Sequence, residues 1–197
     1  RNHSSAASDV YKRQAGKVVA VGDQVTKFQV GDDVFGMVNF PGQGEAYAEF
    51  VASPEGHLAK MPANISYEEA AATTLAALTA LQVLEAHVKA GDRVLIHAGA
   101  GGVGHFAIQL AKHMGAFVST TASAKNRDFV LAQGTDEHID YRNQAFEEVA
   151  SNIDFILDSM SGDVLAKSLE AVNDGGTIIS LPHGCLLYTS DAADEWL

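Results

Sequence analysis

Arg93-Val-Leu-Ile-His-Ala-Gly-Ala-Gly-Gly-Val-Gly-His-Phe-Ala-Ile-Gln-Leu-Ala-Lys112 is the stretch that decides the fold. Its apolar run, Val94 to Ile96, reads as a buried parallel strand. The run breaks into Gly99-x-Gly101-x-x-Gly104 and then into a helix whose apolar side is Ala107, Leu110, Ala111 and Met114. Gly99 makes the tight turn, Gly101 lets the backbone approach a pyrophosphate, and Gly104 packs helix against strand. The helix N-terminus adds N–H groups and a partial positive charge for the phosphates. Alone, such a glycine pattern is a weak signal and could be a mere turn. A strand before it and a helix after it make a dinucleotide cradle of Ala98 to Gly104, Gly102 and Val103 included.

Outward from this loop the chain shows two regimes. From Asp92 onward strands are expected at 94–97, 117–120, 138–140, 155–158 and 177–181, with helices at 105–114, 126–132, 145–150 and 164–172 between them. Gly115, Gly134 and Gly175 stand where helix C-termini take a left-handed residue. This alternation specifies a doubly wound parallel sheet, with five strands in the order 3-2-1-4-5 and an exposed edge. Before it, 15–62 is β-like and dense in turns. Val18, Val19 and Val21 run into Gly22-Asp23, Val30-Gly-Asp-Asp33 leads into Val34-Phe-Gly-Met-Val38, and Pro41-Gly-Gln-Gly44 precedes Ala46-Tyr-Ala-Glu-Phe-Val51. Short strands at this spacing suggest a small barrel. Ser66-x-x-Glu69 is a capping box opening an alanine- and leucine-rich helix over 70–88, ended by Gly91. Asn64-Ile-Ser66 matches a glycosylation sequon, but its serine reads as the cap.

The second strand chooses the cofactor. An NAD site places an Asp or Glu about 20 residues after the first glycine, on the ribose 2′-hydroxyl. Here the window is Ser119-Thr-Thr-Ala-Ser123, with no acid until Asp128. Lys125 and Arg127 follow, able to neutralise a 2′-phosphate, with the hydroxyls of Thr121 and Ser123 alongside. The other reading makes Lys125 and Arg127 a solvated helix start, where the dipole mildly disfavours cations. The pattern favours NADPH over NADH.

The ends read differently from the middle. Ser4 to Gln14 back-translates to DNA whose reverse complement, read one base in, encodes Cys185 to Glu195. One inverted segment therefore accounts for both flanks, and it resembles the adapter of transposon-based sequencing libraries. Residues 1–14 and 185–197 are thus expected to add no native element, leaving 15–184 as natural sequence cut at both ends. The whole chain has 197 residues and a net charge of −12, and 15–184 keeps 10 basic and 21 acidic residues. The single Cys185 and single Trp196 fall in the flank, so 15–184 has no disulfide framework or thiolate metal site. No apolar run reaches the length of a membrane span, and no Lys/Arg stripe exists to meet nucleic acid. A cytoplasmic enzyme with a small-molecule substrate fits this balance.

Taken in order, Ala15-Gly-Lys-Val-Val-Ala-Val-Gly22, Val30-Gly-Asp-Asp-Val-Phe-Gly36, Leu78-Thr-Ala80 and Ala98-x-x-Gly101-x-x-Gly104 resemble the medium-chain dehydrogenase/reductase superfamily. Within it they resemble the zinc-free quinone oxidoreductase (zeta-crystallin-like) branch. The resemblance covers nearly all of 15–184. It implies a partial GroES-like substrate domain over 15–65, a truncated Rossmann domain over 66–184, NADPH as cofactor and a homodimeric parent. By motif position it puts Tyr141 near the adenosine 2′-phosphate, Ser180 and Leu181 facing the nicotinamide, and Thr79 near the carboxamide. Tyr141 could also be an ordinary half-buried tyrosine, and Thr79 a helix threonine bonding its own backbone. Asn39, Phe40 and Tyr47 are substrate-pocket candidates.

The same resemblance tests zinc. Zinc-dependent relatives carry a Cys ligand at the position of Leu75, and leucine offers the metal nothing. The structural-zinc loop with its four cysteines is replaced by Asn39-Phe-Pro-Gly-Gln-Gly44. His97, His105 and His113 show no ligand spacing and read as core or surface residues. With neither metal nor nucleophile the chemistry is the cofactor's, and the protein supplies orientation and electrostatics. A simple carbonyl needs an acid or metal at the developing alkoxide, whereas an enone or quinone spreads that charge by conjugation. The expected parent is therefore an NADPH-dependent enone or quinone reductase, the fragment itself being inactive. Two alternatives stay open, an enoyl-reductase domain of a larger synthase and a non-catalytic NADPH-binding module.

Overall fold

The structure, a computed structural model, describes residues 13–40 and 48–182 together with the backbone of 186–189. The chain forms two compact units, Arg1–Leu78 and Thr79–Leu197. In the first, β1 (Arg13–Lys17), β2 (Asp33–Met37) and β3 (Leu58–Lys60) make an antiparallel sheet in that order. The β1–β2 connection closes where the Val18 N–H donates to the Asp32 carbonyl (2.9 Å) and the Gly31 N–H to the Val18 carbonyl (2.8 Å), with Gly31 at φ 96°. Two expected strands are not formed. Val19 to Val21 is irregular and Val19 is 60 % exposed; Ala48 to Val51 is also irregular, and Phe50 is 72 % exposed. An alternating run becomes a strand only where a neighbouring ladder takes up its N–H and C=O groups. No such neighbour exists among the described residues. These side chains, with Phe28, Val34 and Val38, line an open apolar concavity of about 540 Å³.

Helix α1 (Tyr67–His87) starts on the expected capping box. The Ser66 N–H donates to Glu69 Oε2 (2.8 Å), and the Glu69 N–H donates back to Ser66 Oγ (3.2 Å). Past Gly91, itself at φ 91°, the second unit begins its alternation. The elements are β4 (Arg93–Ile96), α2 (Gly104–His113), β5 (Phe117–Ala122), α3 (Arg127–Ala132), β6 (Glu137–Asp140), α4 (Phe146–Val149), β7 (Ile153–Asp158), α5 (Asp163–Ala171) and β8 (Val172–Ser180). The parallel strands run in the order β6-β5-β4-β7-β8, as expected from the sequence, but the expected exposed edge at β8 is occupied by a further strand described below.

Strand alternation sorts this core into two faces. Val94, Ile96, Phe155 and Leu157 share one cluster with Leu84 of α1 and Ala107, Ile108 and Ala111 of α2. Leu95, Ile139, Ile156 and Ile178 share the other with Phe146 of α4 and Ala171 of α5. Helices thus cover both faces, as the continuous apolar character of β4 requires. Gly115 and Gly134 take the left-handed conformation at helix ends, with φ 86° and 106°. Gly175 (φ 78°) instead lies inside β8, where the register with β7 shifts, so its role is a bulge and not a helix end.

The flank expectation is corrected at one point. Leu186–Thr189 forms β9, antiparallel to β8, as the last strand of the sheet. Without it β8 would present an open row of N–H and C=O groups, and Leu-Leu-Tyr-Thr is a β-prone run that can pair with it. It is bonded on one side only. β1 likewise begins at Arg13, inside the stretch read as flank. Among the described residues no helix is long and apolar enough to cross a membrane.

Ser66→Ala should lower stability by about 1 kcal/mol, seen as an earlier denaturant midpoint of the helical far-UV signal. Ser66→Thr should recover most of the loss; no change with Ala would show that the box does not anchor α1.

Candidate functional site

The chain leaves β4 through His97 and Ala98, and Ala98 is left-handed at φ 53°. That conformation costs a non-glycine residue roughly 1–2 kcal/mol, so neighbouring bonds must hold it. The Ala98 N–H donates to Thr121 Oγ1 (3.1 Å), the Gly99 N–H to the Thr121 carbonyl (3.0 Å) and the Gly101 N–H to the Ala98 carbonyl (2.8 Å). The sharp turn therefore sits at Ala98, and Gly99 serves close approach: a Cβ there would run into the Thr120 hydroxyl. A Cβ on Gly104 would collide with the Ala98 carbonyl and lie 2.8 Å from the Gly99 Cα, so α2 seats directly on the end of β4. A Cβ on Gly102 would meet open space. Helix α2 starts with no side-chain cap and no acid in its first turn. Its first N–H groups are the kind that take phosphate oxygens. A dinucleotide pyrophosphate fits this cradle.

Beneath the loop lies a buried polar chain. His97 is 2 % exposed, with Nδ1 3.2 Å from Thr121 Oγ1 and Nε2 2.9 Å from Ser168 Oγ of α5. Phe146 meets the imidazole edge-on at 4.6 Å. Burial disfavours the imidazolium and pushes the His97 pKa from 6.5 down to about 4, against the opposing pull of the Asp158 and Glu147 carboxylates. His97 is thus a core histidine, as expected.

At the carboxyl ends of β5 and β6, paired with Ala122 opposite Asp140, the chain gathers the adenosine-side candidates. Ser123 is followed by a short turn, Ala124–Asn126, and then by α3, leaving Lys125 and Arg127 exposed. Arg127 is 3.7 Å from Asp128 in a loose surface pair, which is worth little. Asp140 accepts bonds from Asn143 Nδ2 (2.5 Å) and the Arg142 N–H (3.3 Å), which hold its carboxyl below the usual range. This turn puts Tyr141 and Arg142 outside. Tyr141 is 55 % exposed, and the Arg142 guanidinium lies 5.7 Å from its ring centre. Arg142 is a cation that the sequence reading missed, although its signal was plain: a basic residue directly after Ile139-Asp140-Tyr141. Thr121 needs correction. It is buried, and its hydroxyl is engaged by Ala98 and His97, so it does not stand beside Lys125 and Arg127.

The ends of β7 and β8 form a second polar knot. The buried Asp158 accepts the Met160 N–H (2.8 Å), the Ser161 N–H (3.1 Å) and the Ser180 hydroxyl (2.9 Å). The Ser180 side chain is therefore turned to Asp158. The Leu181 N–H bonds the Asp158 carbonyl (2.9 Å), and its side chain packs on the core. Thr79 is half-buried in α1. In the first unit Asn39 is left-handed (φ 51°), its N–H donating to His57 Nδ1 (3.1 Å), and Phe40 is half-exposed. Neither is among the described residues lining the apolar concavity. Tyr47 lies outside the described residues. Among those described, no three His, Cys, Asp or Glu side chains converge.

Two outcomes follow. Gly104→Ala should cost about 1–3 kcal/mol in denaturant unfolding, while Gly102→Ala should stay within about 0.5 kcal/mol. Equal effects would mean that α2 is not seated on β4. The second concerns acid. Between pH 6.5 and about 4 the unfolded chain protonates His97 and the folded chain does not, so stability should fall as pH drops through that window. The contribution is on the order of 3 kcal/mol. His97→Asn should flatten that part of the stability–pH curve, and parallel curves would refute the assignment.

Similarity to known proteins follows the same geometry. Residues 13–63 match the family Alcohol dehydrogenase GroES-like domain, and 102–184 match the family Zinc-binding dehydrogenase. The chain is 42 % identical over 177 residues to mycoketide-CoA synthase of Mycobacterium tuberculosis, covering 85 % of this chain and 4 % of the synthase. It is 37 % identical over 175 residues to 2-methylene-furan-3-one reductase of Solanum lycopersicum, covering 85 % of this chain and 45 % of the reductase. Among solved structures, the quinone oxidoreductase of Coxiella burnetii superposes with TM-score 0.79 at 40 % identity, covering 84 % of this chain and 53 % of that one. The Escherichia coli quinone oxidoreductase complexed with NADPH superposes with TM-score 0.74 at 31 % identity, again covering 84 % and 53 %. The chain thus spans about half the length of these oxidoreductases and a small part of the synthase. With both families matched in order and the Gly99–Gly104 loop (99–104) set between β4 and α2, the chain belongs to the medium-chain dehydrogenase/reductase superfamily, in its quinone oxidoreductase-like branch.

Proposed function

We propose that this chain is the cofactor-binding part of an NADPH-dependent oxidoreductase that reduces an enone or a quinone without zinc. One observation carries the reading. The carboxyl end of a single parallel sheet bears an uncapped, acid-free helix start after the glycine loop, and neighbouring strand ends bear Lys125, Arg127 and Arg142. The first is chemistry for a pyrophosphate, and the second suits a further phosphate on the ribose. That the related E. coli enzyme was solved with NADPH supports the choice of cofactor.

When bound, NADPH supplies the hydride. The N–H groups at the start of α2 bind the pyrophosphate, with Gly101 and Gly102 giving clearance. Lys125 and Arg127 hold the 2′-phosphate, with Ser123 and Tyr141 alongside. The strand end at Ser180 and Leu181, fixed by Asp158, orients the nicotinamide, and Thr79 its carboxamide. Asn39, Phe40 and Tyr47 stay the candidates for the substrate side. Leu75 has no lone pair for a metal, and in this reading the chain's own residues assist by hydrogen bonding. That help suffices for a conjugated acceptor, which spreads the developing charge, and falls short for an isolated ketone. A cytoplasmic, homodimeric parent belongs to the same reading.

A second reading, an enoyl-reductase domain of a larger synthase, is favoured by the identity to mycoketide-CoA synthase. Carrier-protein or ketosynthase motifs in the parent's flanking sequence would select it. A non-catalytic NADPH-binding role would be revealed by cofactor binding without turnover of a simple enone.

Lys125→Ala with Arg127→Ala should weaken NADPH binding by 100-fold or more, taking each charged hydrogen bond at roughly 1.5–3 kcal/mol, and should leave NADH nearly unchanged. Equal losses for both would make these residues structural. The full-length parent should reduce an α,β-unsaturated ketone or quinone with NADPH in the presence of chelators. Activity lost on chelation, or confined to saturated ketones, would overturn the zinc-independent reading.

A further inference from the structure

We propose that His97 is a positioning residue for the dinucleotide loop: its ring holds the Thr121 hydroxyl where that oxygen accepts the Ala98 N–H, and so sets how the loop leaves β4. The inference rests on the NADPH reading above and concerns a residue that contacts no phosphate.

The hydrogens in this network can be assigned one by one. Ser168 Oγ lies 2.7 Å from the Val164 carbonyl, which cannot donate, so the Ser168 hydrogen points there. Ser168 must therefore accept from His97, placing the imidazole hydrogen on Nε2. Nδ1 is then an acceptor, and the Thr121 O–H points at it. With its own hydrogen committed, Thr121 Oγ1 presents lone pairs to the Ala98 N–H. The adjacent Thr120, on the opposite face of β5, bonds the Ile96 carbonyl across the strands at 2.6 Å. The His97 backbone is fixed at both ends, the N–H on the Leu157 carbonyl (3.0 Å) and the carbonyl on the Ser159 hydroxyl (3.2 Å). The ring is thus a rigid strut between α5 and the left-handed Ala98.

The test is calorimetric titration of the 197-residue chain with NADPH and, separately, with adenosine 2′-monophosphate, which lacks the pyrophosphate. Circular dichroism monitors the fold. His97→Leu should weaken NADPH binding about tenfold, the scale of one lost hydrogen bond, and leave adenosine 2′-monophosphate unchanged. His97→Asn, whose amide oxygen can still accept from Thr121, should recover most of the loss. Thr121→Val should reproduce it with His97 in place and Thr121→Ser should restore it, which keeps the test decisive if His97→Leu does not fold. Wild-type NADPH affinity in folded His97→Leu or Thr121→Val, or parallel loss of both ligands, would overturn the inference. A wild-type chain that bound neither ligand would overturn the cofactor reading and this inference together.

Discussion

The second unit is organised by the approach of one helix to one strand end. Because Gly104 carries no side chain, α2 comes down until its first residue rests on the Ala98 carbonyl and the Gly99 Cα. That approach fixes where α2 points and which of its N–H groups are left over. It also brings Ala107, Ile108 and Ala111 onto Val94 and Ile96. Packing and ligand chemistry thus share one geometric condition. A β-carbon at position 104 would lengthen the gap, loosen the core face and shift the first N–H groups of α2 together.

The condition is enforced from below. Ala98 adopts a conformation that alanine resists, and three hydrogen bonds and a buried imidazole make the alternatives worse. Strain of this kind survives where the surroundings over-determine it. The surroundings here are β5 through Thr121 and α5 through Ser168, elements far apart in the sequence and adjacent across β4 and β7. The glycine loop is therefore a property of the whole sheet, although its motif is local.

Legibility followed the range of the interactions. The glycine spacing, the capping box and the alternation of strands with helices are local or periodic, and 94–97 against 117–120 came out parallel as the crossover length demands. What escaped was non-local. The inward turn of Thr121 depends on a histidine and a serine distant from it in sequence, so its residue type alone suggested a phosphate partner. Gly175 looked like a helix end because the bulge that uses it exists only in register with β7. Val18 to Val21 and Ala48 to Val51 had the composition of strands, but composition cannot supply a partner. The attachment of Leu186–Thr189 to β8 had the opposite cause, a vacant edge meeting a run able to fill it.

The apolar interior is divided unequally between the two units. Among the described residues the first contributes Val34, Val38 and Ala70 to the buried apolar set, while the rest of that set belongs to the second. An open apolar concavity adds to the imbalance. Local stability follows buried apolar contact, so within each unit the amides at these buried positions are the ones best protected. A nucleotide held by the glycine loop would add its binding free energy to the unit that already holds most of that core.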